Sequence, residues 1–453
     1  MKMHPIEEIV KKQHCIGCGF CAVVCKNNAI EIVYDKKYDG FIPKVSEHMC
    51  DCSGEDSCAS FCPGENLDLL ELVQQKFGSL PDDYLVGHYK DINIGYSNDA
   101  EYRKSSSSGG VIPAALKHLF NTKKIDGAYC VVPSEKNPFE TSGKIIRSVE
   151  EISSIHGSVY HPVNFGKGID ELLVFGGKFV FIGVPCQLEA LEKLKKLKPE
   201  LKEKHVLSIG LFCGGMNKYD AFRYYLKGFG KNFDDVTNIN FRHGDWPGDI
   251  RIETKDGNIS VIPRGFNNTR IGILRYMAAS DAFFMLKRCR LCPDQIADLA
   301  DIAVGDPHLP KYKSERGAGY SIIISRSDIG ERTVNEMRSA GYLTMIGSDR
   351  DDVVNSQSRT LNNRRHLAPY LKVSKLFGRS TPNFKLDPRI VTNVSKDNYF
   401  YAARDLVKIY FFGSKIFKPF YLFFQILDYL FIAINNPRLF IKRLLNISLY
   451  LKK

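Results

Sequence analysis

Eight of the thirteen cysteines fall within the first 62 residues, in two groups. The first group has the spacing Cys-x2-Cys-x2-Cys-x3-Cys and consists of Cys15, Cys18, Cys21 and Cys25. This spacing lets three thiolates surround one [4Fe–4S] cube, while the fourth reaches a second cluster. Glycines at 17 and 19 leave room for the backbone to bend around sulfide. The first group therefore predicts an iron–sulfur site, with a short strand over 29–32 covering it.

The second group is less regular, because two extra residues separate its first and third cysteines. It consists of Cys50, Cys52, Cys58 and Cys62, and Pro63 follows the last of them. By the crossing rule of two-cluster ferredoxins, Cys62 joins Cys15, Cys18 and Cys21, whereas Cys25 joins Cys50, Cys52 and Cys58. We predict two [4Fe–4S] clusters, with the type of the second left open. Structural zinc is the alternative, although zinc sites usually use two separated Cys pairs.

Composition indicates an ordinary globular protein of two or three domains. The 453 residues are 44% hydrophobic and 25% charged, with a net charge of +12. The N-terminal stretch has no apolar run of a signal peptide, and the cysteines have metal-ligand spacings. We therefore expect a cytoplasmic protein in a reducing compartment.

The elements that must position these residues suggest an α+β and α/β multidomain chain. We expect a ferredoxin-like domain over 1–70 and a linker over 71–87 that contains a short helix and a Pro/Asp turn. Residues 88–345 alternate β-rich and helix-like runs, which predicts a mixed-sheet α/β domain with a sub-boundary near 175. Residues 346–400 are polar and are expected to be loop-rich, and 401–453 form a helical tail.

Four of the remaining cysteines suggest a further metal site. Cys186 and Cys213 follow apolar, strand-like runs, and Cys289 and Cys292 form a Cys-x2-Cys pair. Two cysteines that follow strands and one Cys-x2-Cys pair could together supply four thiolate ligands to one metal site. Cys130, within the apolar run 127–133, is expected to be a buried core thiol.

Seven motifs in order give the chain a family resemblance. It resembles the beta subunit of coenzyme F420-reducing hydrogenase and its dehydrogenase relatives, over three quarters of its length. The motifs are Ser108-Gly109-Gly110, Gly157-Ser158-Val159-Tyr160, Gly183-Val184-Pro185-Cys186-Gln187, Phe212-Cys213-Gly214-Gly215, Phe241-Arg242 with Trp246, Cys289-x2-Cys292 with Asp294, and Ala300-Asp301-Ile302-Ala303-Val304-Gly305-Asp306. Val184 stands where the family often has Thr, and Val159 where it usually has a basic residue.

The resemblance implies a flavin-binding domain that holds FAD beside a third [4Fe–4S] cluster on Cys186, Cys213, Cys289 and Cys292. The implied cofactor contacts are Ser108, Gly109, Gly110, Gly157, Ser158, Tyr160, Gln187, Gly305 and Asp306. The helix after Gly110 could offer N–H groups to a pyrophosphate, although a plain helix cap explains the motif equally. Asp306 could contact a ribose or flavin edge, or simply form a turn with Pro307. The flavin itself would be the redox catalyst, and His156 and His161 are weak candidates for proton donors.

The leading hypothesis is an iron–sulfur flavoprotein oxidoreductase. It would pass electrons between a ferredoxin or redox partner subunit and a deazaflavin or other small organic substrate. One alternative is an electron-transfer subunit of a larger redox complex that has no substrate of its own. A second is a zinc-stabilised binding scaffold.

The tail adds a separate expectation about membranes. Residues 401–453 contain nine Lys or Arg and two Asp or Glu, and 419–437 are strongly apolar and aromatic. This pattern favours an amphipathic helix at an anionic membrane surface, hence a peripheral location at the inner face. A helix docked on protein and a true membrane span are the alternatives. Nucleic acid is disfavoured because the basic residues are interleaved with apolar ones.

Overall fold

The computed structural model describes residues 3–50, 58–134, 137–155, 157–262, 284–313, 317, 319–392, 394 and 396–407. The strands are β1 (Ile30–Asp35), β2 (Gly40–Val45), β3 (Asn66–Asp68), β4 (Asp91–Ser97), β5 (Gly127–Pro133), β6 (Thr141–Ile146), β7 (Phe179–Gly183), β8 (His205–Leu211), β9 (Val236–His243), β10 (Asp249–Thr254), β11 (Ile259–Ile262), β12 (Ile302–Gly305), β13 (Ser321–Ser325), β14 (Leu343–Gly347) and β15 (Asn383–Lys385). The α-helices are α1 (Pro5–Lys11), α2 (Phe20–Val23), α3 (Cys58–Phe61), α4 (Leu69–Phe77), α5 (Ala100–Ser105), α6 (Val111–Asn121), α7 (Ile169–Val174), α8 (Pro185–Leu197), α9 (Pro199–Lys204), α10 (Tyr219–Lys227), α12 (Lys287–Arg290), α13 (Pro310–Lys313), α14 (Asp328–Ser339), α15 (Arg350–Ser356), α16 (Ser358–Arg365), α17 (Leu367–Leu376), α18 (Pro388–Thr392) and α19 (Lys396–Val407).

An eight-stranded mixed sheet organises the larger part of the chain. Its strand order is β14-β4-β13-β12-β8-β7-β5-β6, and the four strands β12, β8, β7 and β5 run parallel. Every residue of β7 and of β13 is buried, as expected for strands covered on both faces. The predicted mixed sheet is confirmed, and the run 127–133 is the strand β5.

Alternate residues of the central strands supply two separate layers of core. In β7, Phe179 and Phe181 pack on one face with α4, α7 and α8, whereas Val180 and Ile182 pack on the other with α6 and α14. Cys130 lies in the second layer with no exposed surface, so the prediction of a buried core thiol is confirmed.

The N-terminal module is a small body with its own hairpin, β1–β2, packed against α1 and α2. Phe20 joins it to the sheet, because its ring stacks on Phe61 of the module and on Phe165 of the larger part. The expected strand over 29–32 is present as the start of β1.

Two boundary predictions were wrong. Residues 346–400, expected to be loop-rich, contain α15 to α18. Helices α15 and α16 bury few apolar residues and so look polar in sequence, whereas α17 buries Leu367, Tyr370 and Val373. Residues 71–87 do contain a helix and a turn, but Leu72, Val73, Leu85 and Val86 belong to the main core, so the segment is no linker.

Only the first part of the expected tail can be described. Ala402 and Leu406 of α19 are buried against Leu367 and Tyr370 of α17, so this part docks on the protein itself. The membrane prediction for 408–453 lies outside the described residues. Within the described ranges, no helix has the length and hydropathy needed to cross a bilayer.

Candidate metal centres and the adjoining cleft

The first three cysteines of the N-terminal module meet Cys62. All four side chains line one small cavity, together with Phe61 and Pro63. Burial and the neighbouring Cys62 thiol raise the pKa of Cys18 to about 12. The N–H of Gly17 donates to Cys15 Sγ at 3.3 Å, in the manner expected at cluster sulfurs. The structure thus brings together the four residues that the crossing rule groups.

The other N-terminal group can be described only in part. Cys25 packs in the same apolar cluster as Cys50 and Cys58, and its Sγ accepts a hydrogen bond from Ala29 N at 3.2 Å. Cys52 lies outside the described residues.

The ends of neighbouring parallel strands bring the third group together. Strands β7 and β8 lie side by side, with Gly183 opposite Gly210, and lead directly to Cys186 and Cys213. Strand β12 continues this order and leads to Asp306. Because the carboxyl ends of parallel strands share one edge of a sheet, these three residues lie at the same edge.

The Cys-x2-Cys pair completes this group from a short helix. Cys289 lies in α12 and Cys292 just beyond it, with Cys292 Sγ donating to Asp294 O at 2.9 Å. Burial raises the pKa of Cys213 to about 12, and the Cys289 thiol adds to the effect. Burial also raises the pKa of Cys186, reinforced by Cys213, Cys292 and Cys289. Four partly buried thiols with raised pKa values need a cationic centre to ionise, which an iron–sulfur cluster provides.

The ligands of a single metal ion converge on one point, whereas the ligands of an iron–sulfur cluster surround a larger space. Among the described residues, no three His, Cys, Asp or Glu side chains lie close enough to hold one metal ion. The four thiols that include Cys62 instead surround a space.

Three charged residues that the sequence analysis did not single out lie between two cysteine sets, the one that includes Cys62 and the third group. Arg288, 1% exposed, donates to Gly64 O, and Lys193 donates to Asn66 O. Glu189 has no exposed surface, and neither carboxyl oxygen has a hydrogen-bond partner among the described residues. Burial raises the pKa of Glu189 to about 8, although Arg288 acts in the opposite direction. The sequence signals were their positions: Arg288 precedes Cys289, Glu189 lies one helical turn from Cys186, and Lys193 lies two turns from it.

A cleft is connected to the end of β12 through the Asp306 carboxylate. Arg242 donates to Tyr160 Oη at 3.1 Å and to Asp306 Oδ2 at 2.9 Å, and Trp246 Nε1 donates to Asp306 Oδ1 at 3.3 Å. Burial lowers the pKa of the Arg242 guanidinium, but Asp306 and Tyr160 outweigh this and raise it. The cleft encloses about 280 Å³, and its lining includes Arg103, Lys104, Ser107, Arg242 and Trp246. Three cations and an indole suit an anionic, aromatic ligand.

The glycine and serine motifs of the resemblance hold the wall of this cleft. Ser158 N donates to Ser107 Oγ at 2.6 Å, which joins the predicted segment 157–160 to the residue that precedes the predicted segment 108–110. Helix α6 begins after Gly110 as predicted, with Gly110 at φ +74°. However, Gly109 N donates to Ser321 Oγ at 2.9 Å, and Ser108 Oγ donates to Tyr320 O. These two groups are therefore engaged within the protein, in the plain structural role considered above.

Two other predicted cofactor contacts also have structural partners. Gln187 Oε1 accepts from Val184 N at 2.8 Å and so caps the start of α8. A Cβ on Gly305 would lie 2.0 Å from the Phe212 ring, so this glycine makes room for the residue before Cys213.

His161 lies in an aromatic core and does not line the cleft. It is 1% exposed, and its ring lies 5.5 Å from that of Tyr219 and 5.6 Å from that of Phe139. Burial lowers its pKa to about 4, so the imidazole is neutral at physiological pH. This position disfavours the proton-donor role considered for it. His156 lies outside the described residues.

Comparison with known proteins agrees with this geometry. Residues 93–169 and 176–350 match the family models described as coenzyme F420 hydrogenase/dehydrogenase, beta subunit N-term and C terminus. Residues 14–66 match the 4Fe-4S dicluster domain, which confirms an iron–sulfur module.

Two curated relatives are similar over much of the chain. The coenzyme F420-dependent sulfite reductase of Methanocaldococcus jannaschii is 25% identical over 73% of this chain and 47% of its own length. The chain thus spans about half of that relative. Coenzyme F420 hydrogenase subunit beta of Methanococcus voltae is 25% identical over 57% of this chain and 84% of its own length.

A solved structure shares the fold. It is a chain of the F420-reducing [NiFe] hydrogenase complex from Methanosarcina barkeri, with a TM-score of 0.51 and 20% identity. The match covers 67% of this chain and 98% of that one. The chain belongs to the coenzyme F420 hydrogenase/dehydrogenase beta subunit family and carries a 4Fe-4S dicluster domain in its N-terminal module.

Proposed function

We propose that this chain is an iron–sulfur flavoprotein oxidoreductase. It passes electrons between its N-terminal module and a deazaflavin or other small organic substrate bound at the cleft. A ferredoxin or a redox partner subunit exchanges electrons with the N-terminal module. When bound, [4Fe–4S] clusters carry single electrons and FAD exchanges hydride, so together they link the two kinds of chemistry.

One observation carries this proposal: the strand ends place Cys186, Cys213 and Asp306 at one edge of the sheet. The thiols provide the ligands of a third cluster, and the Asp306 carboxylate accepts hydrogen bonds from Arg242 and Trp246, which line the cleft. Phe212 N donates to Val304 O at 2.8 Å, which ties the residue before Cys213 to the strand that leads to Asp306.

The cleft residues would bind and orient the nucleotide and the substrate. Arg103 and Lys104 attract anionic groups, and Trp246 offers an aromatic face. The buried pair of Arg242 and Asp306 keeps Tyr160 and the indole in fixed positions, so the site is preorganised. The names of the two curated relatives favour a deazaflavin as the substrate.

A second candidate is an electron-transfer subunit without a substrate of its own. The similar solved chain belongs to a multisubunit hydrogenase complex, which favours this alternative. Turnover of a deazaflavin by the isolated protein would support the first candidate, and its absence in a fully loaded protein would support the second.

Anaerobic purification tests the cofactor content that both candidates share. The full chain should contain about twelve irons and one flavin. Cys289→Ser should remove about four irons, because it breaks the third group, whereas Cys130→Ser should remove none, since Cys130 is a core thiol in β5. A colourless protein that binds zinc would contradict the proposal.

A further inference from the structure

We propose that Arg288 and Lys193 are positioning residues for electron transfer, which fix two positive charges around Cys62 and favour the reduced state there. This inference rests on the proposed function, because it requires clusters at the cysteine sets. Neither residue is a predicted metal ligand, and both belong to the larger part of the chain and not to the N-terminal module.

Arg288 connects the two cysteine sets directly. It precedes Cys289 in α12, and its Nε and Nη2 donate to Gly64 O and Pro63 O, each at 3.0 Å. Those carbonyls belong to the two residues that follow Cys62. The rigid fork of the guanidinium therefore holds the loop of one predicted cluster against the helix of the other.

Lys193 approaches Cys62 from another direction. It lies two turns along α8 from Cys186, and its Nζ donates to Asn66 O at 2.8 Å and to Ser60 O at 3.2 Å. These carbonyls flank Cys62 on both sides in sequence. The charges of both Lys193 and Arg288 act on the Cys62 thiol.

Hydrogen bonds fix both charges, and burial leaves the charge of Arg288 poorly hydrated. Arg288 is 1% exposed, and its guanidinium lies 4.5 Å from the centre of the Phe384 ring. Screening is weak at such a site, so a nearby cation stabilises a cluster that has gained an electron. The cluster that Cys62 holds should therefore be reduced more readily than a similar cluster without the two cations.

Variants of the full chain, purified anaerobically, test this inference. Arg288→Met and Lys193→Met remove one charge each and keep much of the side-chain volume. Arg326→Met is the control for Arg288, because Arg326 is also buried and donates to carbonyls of Val86, His88 and Ile296, but no thiol acts on it. Lys196→Met is the control for Lys193, since Lys196 lies on the same helix and pairs with Glu71 at the surface.

Reduction potentials followed by electron paramagnetic resonance are the readout, together with iron content. Glu189 interacts with both cations, so all titrations are made at one pH. In each test variant, the reduction potential of one cluster should fall by about 59 mV, which shifts its equilibrium about tenfold towards the oxidised form. The control variants should keep the potentials of the unmodified protein.

Two outcomes would overturn the inference without touching the proposed function. The first is full iron content with unchanged potentials in both test variants. The second outcome applies if Arg288→Met loses its clusters. In that case an unchanged potential in Lys193→Met rejects the role of the cations. Absence of iron from the unmodified protein would instead reject the proposed function.

Discussion

His161 shows how a residue's surroundings decide what it can do. Its ring nitrogens contact Pro162 O at 3.0 Å and Thr141 Oγ1 at 3.4 Å inside an aromatic cluster, where a charge is poorly accommodated. A histidine in this setting stabilises packing and cannot easily accept a proton.

This position predicts a pH dependence of stability. The folded pKa of His161 is about 4, whereas the unfolded pKa is about 6.5, so only the unfolded state gains a proton as the pH falls between these values. Through His161, the free energy of unfolding should thus fall by about 2 kcal/mol as the pH is lowered from 7.5 to 5. His161→Phe should remove that part of the acid loss, measured as thermal midpoints over this range. The exposed His48→Gln is the control, and an unchanged slope in His161→Phe would contradict the prediction.

The ion pair of Arg242 and Asp306 gives a second prediction at this scale. Both side chains are largely buried, so Asp306→Asn leaves an uncompensated guanidinium and should cost about 3 kcal/mol. It should also lower the flavin content, because the asparagine NH2 would face the Arg242 N–H and displace this cleft residue. Glu71→Gln breaks the exposed pair with Lys196 and should cost less than about 1 kcal/mol. Equal thermal midpoints for the two variants would show that the buried pair is unimportant.

Sequence reasoning could find the ligands better than the residues around them. The cysteines were visible because their spacing is local, and the strand runs before Cys186 and Cys213 were visible from their apolar composition. Arg288 and Glu189 lie beside or one turn from a predicted ligand, but that position does not reveal their roles, because these depend on carbonyls and thiols that are distant in sequence. His161 could be placed in the core only after the helix α10 was known to cover it.

At the scale of elements, the junction of β8 and β12 controls both sites. The Phe212 ring occupies the space where a side chain on Gly305 would lie. Any displacement of Phe212 moves Cys213, which follows it, and Asp306, which follows Gly305.

Gly305→Ala should therefore disturb the third cysteine group. Its Cβ would lie 2.0 Å from Phe212 Cδ2, so we expect a loss of about 1–3 kcal/mol and a lower iron content. Gly347→Ala, at the end of β14 in the same sheet, is the control because nothing lies within 4 Å of its Cβ position. Iron content equal in both variants would show that the ring can move without cost to the site.

Elements were predictable where burial leaves a strong pattern. The strands β5, β7 and β8 are continuous apolar runs because helices cover both faces of the sheet. The helix α16 escaped prediction because it buries only Leu361 and Arg364 and exposes a polar surface. Local composition therefore indicated a loop where tertiary packing selects a helix.

At the scale of the whole molecule, the described part of α19 tells where a truncation can be made. A chain ending at 407 keeps Ala402 and Leu406, whereas one ending at 400 loses both from the contact with α17. We expect the shorter chain to lose a few kcal/mol of stability, about 2–4, and the longer one to keep its thermal midpoint.

The chain ending at 407 also tests the membrane prediction for the tail. The full chain should sediment with vesicles that contain anionic lipid, and the chain ending at 407 should not. Neutral vesicles are the control. Equal sedimentation of the two chains would contradict an interfacial role for 408–453.

The pairing of β15 with β3 has a consequence for the order of synthesis. Asn66 pairs with Asn383, a separation of 317 residues, so β3 leaves the ribosome long before the strand that covers it. At 5–20 residues per second, this interval is roughly 15–60 s. For most of it the N-terminal cysteines have neither Arg288 nor β15 against them, because Arg288 is synthesised 222 residues after Asn66. The chain thus has a period in which a cluster-delivering protein can reach the module before the rest of the fold closes over it.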